Sequence, residues 1–140
     1  MKLKLLCLAF VLSLALCVPA MAEVQDFEDF TIDVPAGWST DIDEDIGIIV
    51  AADDQSAVIS ISAAENDGTS IEEIAKGTAK EMGGTAPQKV QEGAYTFTYK
   101  TEDGVDGKAI VQGTDELCVM ITVTGDNPAV AGIMSSIKSK

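Results

Sequence analysis

Histidine and arginine are both missing from this sequence, and each absence removes a class of chemistry. Without an imidazole there is no Ser-His-Asp or Cys-His relay and no histidine metal site. Without a guanidinium there is no bidentate clamp for a phosphate or carboxylate, and a twin-arginine export signal is ruled out. Cations are scarce altogether: nine lysines stand against 23 acids, a net charge of −14. That field repels phosphate backbones and anionic lipid surfaces, which argues against nucleic-acid and membrane-surface partners. It favours solubility and suits a basic protein partner or a divalent cation. No phosphate-cradling glycine loop occurs either; Gly104 and Gly107 fit turns.

What is present begins with a leader. Lys2 and Lys4 precede an unbroken apolar run, Leu5 to Cys17, and Val18-Pro19-Ala20-Met21-Ala22 closes it with Ala-x-Ala. Basic, apolar and small residues in that order form a secretory signal, with cleavage expected after Ala22. The run is too short for a spanning helix, which needs roughly 20 apolar residues. Leu14-Ala15-Leu16-Cys17 would be the lipoprotein box, but bulky Leu16 stands where a small residue belongs, so lipid anchoring is disfavoured. The expected product is residues 23–140, a single domain working in the periplasm or outside the cell with no integral membrane segment. Cys7 and Cys17 leave with the signal, so Cys118 stays as the lone thiol and no internal disulfide can form. Flanked by Leu117, Val119 and Ile121, it reads as a buried, inert cysteine.

Along the rest of the chain, period-two segments surround two helical ones. Phe30, Ile32 and Val34 predict a first strand that Pro35-Ala36-Gly37-Trp38-Ser39 ends. An acidic stretch, Asp41 to Asp45, leads into a central strand from Ile46 to Ala52, and 53–56 turns it into a return strand from Ala57 to Ala63. Asn66-Asp67-Gly68 breaks the period. Ser70-Ile71-Glu72-Glu73 has capping-box spacing, and Ile71, Ile74, Ala75, Thr78 and Met82 mark a helix face that ends at Gly83-Gly84. Further strands are predicted over 88–91, around Tyr95-Phe97-Tyr99, over 106–113, and along Leu117, Val119, Ile121 and Val123. Asp126-Asn127-Pro128 opens a closing helix with Val130, Ile133, Met134 and Ile137 on one face and Lys138 and Lys140 at its end. Short connections require antiparallel pairing. The expectation is α+β: a sheet of about six or seven antiparallel strands with helices on both faces, an α/β/α sandwich.

The stretch Phe30-Thr31-Ile32-Asp33-Val34-Pro35-Ala36-Gly37-Trp38 resembles the strand-then-V-P-x-G-W opening of the PsbP-like superfamily. That group includes Mog-type Ran-binding proteins and exported bacterial DcrB-like proteins, and the exported branch is the one suggested here. The element order matches over essentially the whole segment after the leader. The resemblance implies a scaffold for binding or assembly, with Trp38 as a packing residue, and it transfers no catalytic residues.

Asp41-Ile42-Asp43-Glu44-Asp45 is the sharpest local motif, since alternate carboxylates can converge on a hard cation. The EF-hand pattern fails, because Ile46 stands at its sixth position and Ala52 at its twelfth. A solvated acidic loop is the simpler account, and no catalytic, cofactor-binding or metal-ligating residue is assigned. The function expected is that of an exported, non-enzymatic binding, interaction or assembly module whose partner carries a basic surface. Two alternatives are an acidic calcium-binding protein using Asp41, Asp43 and Asp45, and a carboxylate-dependent hydrolase.

Overall fold

The computed structural model describes residues 23–27 and 30–139, so the expected leader, its cleavage site and the acylation box lie outside the described residues. The chain divides into two compact units. Of the described residues, one holds those up to Ala36 together with 133–139, and the other is Gly37–Gly132. No helix among the described residues is long and apolar enough to cross a membrane.

In the first unit, β1 (Glu23–Asp26) and β2 (Phe30–Val34) pair antiparallel, with Gln25 opposite Ile32. Alternation on β2 buries Ile32 and Val34 while Asp33 stays exposed. Helix α2 (Val130–Ser136) begins in the second unit, where Asn127 Oδ1 accepts the Ala129 N–H at 2.9 Å, and its last turn belongs to the first. It stops earlier than its apolar spacing suggests. Ser136 Oγ donates to the Ile133 carbonyl at 2.6 Å and accepts the Asp33 N–H at 2.9 Å. The chain then leaves the helix, and β10 (Lys138–Ser139) pairs with Thr31 and Phe30 of β2. Lys138 therefore belongs to a strand and not to a helix terminus. The reason is that β2's second edge offers unpaired backbone groups, and satisfying them outweighs one more helical turn. The sequence expectation also placed β2 with the main strands, whereas it belongs to this three-stranded sheet.

The second unit carries a seven-stranded antiparallel sheet in the order β3-β4-β5-β9-β8-β7-β6. Its strands are β3 (Trp38–Asp43), β4 (Gly47–Ala52), β5 (Ala57–Glu65), β6 (Gln88–Gln91), β7 (Ala94–Lys100), β8 (Asp106–Gly113) and β9 (Leu117–Gly125). The central joint is the β5–β9 pairing, nine residues long from Ala57 opposite Gly125 to Glu65 opposite Leu117. Alternation sorts the side chains as the pleat requires. Val50, Ala52, Ala57, Ile59, Ile61 and Ile121 share one face and are buried. Phe97, Ala109, Val111 and Cys118 share the other.

β3 is a correction to the sequence reading, which ended the first strand at Pro35–Ser39 and left Asp41 to Asp45 as a loop. Trp38, Thr40 and Ile42 alternate with Ser39, Asp41 and Asp43 over six residues paired with β4. An edge strand tolerates acids on its open side, where water solvates them. Trp38 is buried, as a packing residue should be.

Helix α1 (Ile71–Glu81) is built by its ends as much as by its face. Ser70 caps it, its Oγ accepting the Glu73 N–H at 3.2 Å. At the other end Gly83 takes φ +65°, the Gly84 N–H donates to the Ala79 carbonyl at 2.7 Å, and the Gly83 N–H donates to the Lys80 carbonyl at 3.3 Å. That pair of bonds is the Schellman stop, which needs a left-handed residue where only glycine is unstrained. The helix packs on β7 and β8, burying Ile71, Ala75 and Ala79 against Phe97, Ala109, Val111 and Cys118. The buried face is turned slightly from the expected one, with Ala79 inside and Thr78 at its flank.

Candidate functional site

That turn of the helix creates a trough. α1 lies over β7 and β8, so its Ile74–Thr78 flank overhangs the stretch of sheet where β5 and β9 run side by side. The floor there is made of the cross-strand pairs Ser62–Met120 and Ala64–Cys118, and three of those four side chains are small. A short helix over small residues leaves space, here a cavity of about 420 Å³. That volume falls within the range of small-molecule sites, roughly 300–1,000 Å³. The end of the trough is closed by the loop after β5, through Glu65, Asn66, Asp67 and Thr69.

Asn66 is the unusual member. Only 8% exposed, it is the buried polar residue among the described ones. Its Nδ2 donates to the Thr69 carbonyl at 3.0 Å and to the Thr114 carbonyl at 2.6 Å. Its backbone N–H donates to the Glu116 carbonyl at 3.2 Å, and the Gly68 N–H donates to the Asp115 carbonyl at 3.0 Å. Asn66 thus fastens the loop before α1 to the β8–β9 turn. With both amide hydrogens committed to carbonyls, the orientation of the side chain is fixed, because the flipped amide would set oxygen against oxygen. Oδ1 is left buried with no hydrogen-bond partner. An unsatisfied buried acceptor costs about 1–3 kcal/mol, so the trough wall holds an acceptor whose free energy falls when a donor reaches it.

The surrounding electrostatics are one-sided. Asp67 lines the trough and no lysine does, while Glu65 borders it at the end of β5 with its side chain sent by the pleat to the other face. Burial pushes the Cys118 thiol above its ordinary value, so it stays protonated near neutral pH and adds no anion to the floor. The thiol is buried, as the sequence suggested, yet it also borders the cavity. Nothing in the sequence pointed to Asn66 as more than a break residue. Asn-Asp-Gly is ordinary turn composition, and the partner that buries it lies 48 residues away.

The acidic motif is placed elsewhere. Asp41 and Asp43 sit on β3 and Asp45 in the tight turn to β4. Asp43 Oδ1 accepts the N–H groups of Asp45 and Ile46 at 2.8 and 3.0 Å, and Asp41 Oδ1 accepts the Ile42 N–H at 2.9 Å. The first two bonds form an Asx turn that closes the hairpin. Among the described residues no three acidic or thiol side chains are grouped to hold a metal ion. A second hollow, between the 83–85 turn and the open end of β7–β8, is lined by the Lys100–Asp106 ion pair and the Tyr99 ring. It contains no orphaned polar group.

No protein-family model and no curated protein matches the chain. Solved structures do match its fold. The solution structure of cyanobacterial PsbP (CyanoP) from Synechocystis sp. PCC 6803 superposes with a TM-score of 0.59 at 11% identity, covering 89% of this chain and 95% of that one. A crystal structure from Bacteroides thetaiotaomicron VPI-5482 superposes with a TM-score of 0.50 at 16% identity, covering 79% of this chain and 45% of that one. At such identities the likeness is one of fold: the architecture is α+β and PsbP-like.

Proposed function

We propose that this chain is a non-enzymatic binding module, exported in the manner of the DcrB-like bacterial branch, and that its ligand seat is the trough beside α1. The observation that carries the reading is the buried, unpartnered Oδ1 of Asn66 in the wall of a cavity of about 420 Å³. A buried acceptor held in a fixed orientation, on a residue that borders an open volume, offers a recognition point once the turn beside it moves. The lining supports binding over catalysis. Its one thiol is held protonated by burial, and the chain supplies no imidazole to activate it. The PsbP-like architecture, which serves binding and assembly in the family it resembles, agrees with this. The net charge of −14 further favours a basic surface on any protein partner.

A fragment panel read by thermal shift tests the seat, with Ala64→Leu as the filled-trough control. Ligands should stabilise the parent chain and leave the filled variant unmoved. Export is tested on its own by recovering the protein from the cell envelope or medium and sequencing its N-terminus, expected at Glu23. Turnover of a substrate in a broad hydrolase screen, abolished by the same filled trough, would replace binding with catalysis.

A further inference from the structure

The trough's chemistry specifies a class of ligand, an inference that rests on the proposed seat and narrows it. We propose that the trough takes a small organic ammonium: a primary amine carried on a short apolar body. Three features converge on that choice. The fixed amide of Asn66 offers an acceptor and no donor, because both Nδ2 hydrogens are held by Thr69 and Thr114. A ligand group that satisfies it must bring an N–H or O–H.

The rim selects between those two. The rim carboxylate is that of Asp67, which among the described residues takes part in no ion pair with lysine; Glu65 adds backbone, since the pleat sends its side chain to the other face of β5. A cationic donor therefore meets the uncompensated carboxylate of Asp67 as well as the amide oxygen, whereas a hydroxyl gains no charge attraction there. A carboxylate ligand is repelled twice, by the rim and by the charge of the whole chain. Beneath the rim, Ile74, Met120, Ala64 and the protonated Cys118 form an apolar bed with no charge to neutralise.

Access has a structural route. Asn66 Oδ1 is covered from solvent, and the segment beside it, Asp67 to Thr69, is exposed and passes through left-handed backbone at Asp67 (φ +47°) and Gly68 (φ +81°). Binding therefore requires the Asp67–Gly68 turn to open while the Thr69 carbonyl keeps its bond from Nδ2.

The test is a titration of the full exported chain, ¹⁵N-labelled, with n-hexylammonium, n-hexanol and hexanoate at physiological salt. Asn66 and Asn127 are the two asparagines, so the side-chain amide of Asn127 serves as an internal reference. Hexylammonium should bind at least tenfold more tightly than hexanol, about 1.4 kcal/mol, and should shift the Asn66 amide. Hexanoate should not bind. Asp67→Asn should erase the preference for the amine while leaving hexanol unchanged, Glu65→Gln should leave the preference in place, and Ala64→Leu should remove binding of both. Hexanol binding as tightly as the amine would overturn the ammonium class and leave the seat standing. Amine binding that ignores Ala64→Leu and spares the Asn66 amide would be diffuse surface attraction, and would also overturn it. Silence from all three probes and from the fragment panel would remove the seat itself.

Discussion

Replacing Asn66 by aspartate changes one nitrogen to oxygen, and the structure makes that change expensive in a pH-dependent way. At pH 7 a carboxylate oxygen would stand where Nδ2 stands, at 2.6 Å from the Thr114 carbonyl and 3.0 Å from the Thr69 carbonyl. No lysine lines the site to offset the charge, and the residue is only 8% exposed. An uncompensated buried charge costs about 3–5 kcal/mol. Asn66→Ala is gentler. It forfeits two neutral hydrogen bonds, each worth about 0.5–1.5 kcal/mol, and at the same time removes the orphaned Oδ1, whose burial already costs about 1–3 kcal/mol. The alanine variant should thus lie within about 2 kcal/mol of the parent, with the aspartate variant clearly below it. Burial beside two carbonyls raises the new carboxyl's pKa in the folded state. Its deficit is therefore largest above that raised value and shrinks as pH falls toward the ordinary Asp range. Urea unfolding at pH 7 and again near pH 4.5 measures both variants. With a slope of about 1–3 kcal/mol/M, a 3 kcal/mol loss moves the midpoint by roughly 1–3 M. Equal stability of the two variants at pH 7, or an aspartate deficit that does not change with pH, would refute the assignment of Asn66 as a buried double donor.

Other expectations follow from single contacts. A Cβ on buried Gly107 would lie 2.4 Å from Cζ of Tyr99, its partner across β7–β8, so Gly107→Ala should cost about 1–3 kcal/mol by chemical denaturation. In a Tyr99→Ala background most of that cost should vanish, and a strictly additive double mutant would contradict the contact. Ser70→Ala removes the cap on Glu73 and should lower stability by about 1 kcal/mol, read as a fall of a few degrees in melting temperature. Cys118 should resist thiol reagents in the native chain and react on unfolding. Its burial-raised pKa favours the fold below the ordinary value of 9.0, and that advantage fades as pH rises past it. The stability difference between the parent and Cys118→Ala should accordingly narrow between pH 8 and 10, and a widening gap would count against the buried, protonated thiol.

The elements most legible in the sequence were those whose signal is local. Ser70 and Gly83-Gly84 bracket α1 because capping and left-handed termination are chemistry within a few residues. β5 and β9 show alternation over nine residues each, long enough for the period to be unmistakable. β3 was lost because half of its residues face water and read as an acidic loop, while β10, two residues long, has no period at all. The candidate site was invisible for a related reason. Asn66 acquires its burial from the β8–β9 turn, and the trough exists because α1 is set over β7 and β8 and not over β5. Those are properties of placement, and no window along the chain contains them.

The β5–β9 joint gives that placement a mechanical meaning. On one side the sheet is a run of neighbouring hairpins, β3 to β5, and on the other a second run, β6 to β9, and the pairing of Ala57–Glu65 with Leu117–Gly125 is the zipper between them. Every tooth of this zipper joins residues at least 52 positions apart, so it closes late and at high loop-entropy cost, while each hairpin stack can form from near neighbours. Its last tooth is Glu65–Leu117, and the Asn66 fastening lies immediately beyond it, like a clasp at the open end. A molecule seated against Ser62, Ala64, Cys118 and Met120 would grip both tapes of the zipper at once. Occupancy would then be read out as resistance of the two halves to being pulled apart.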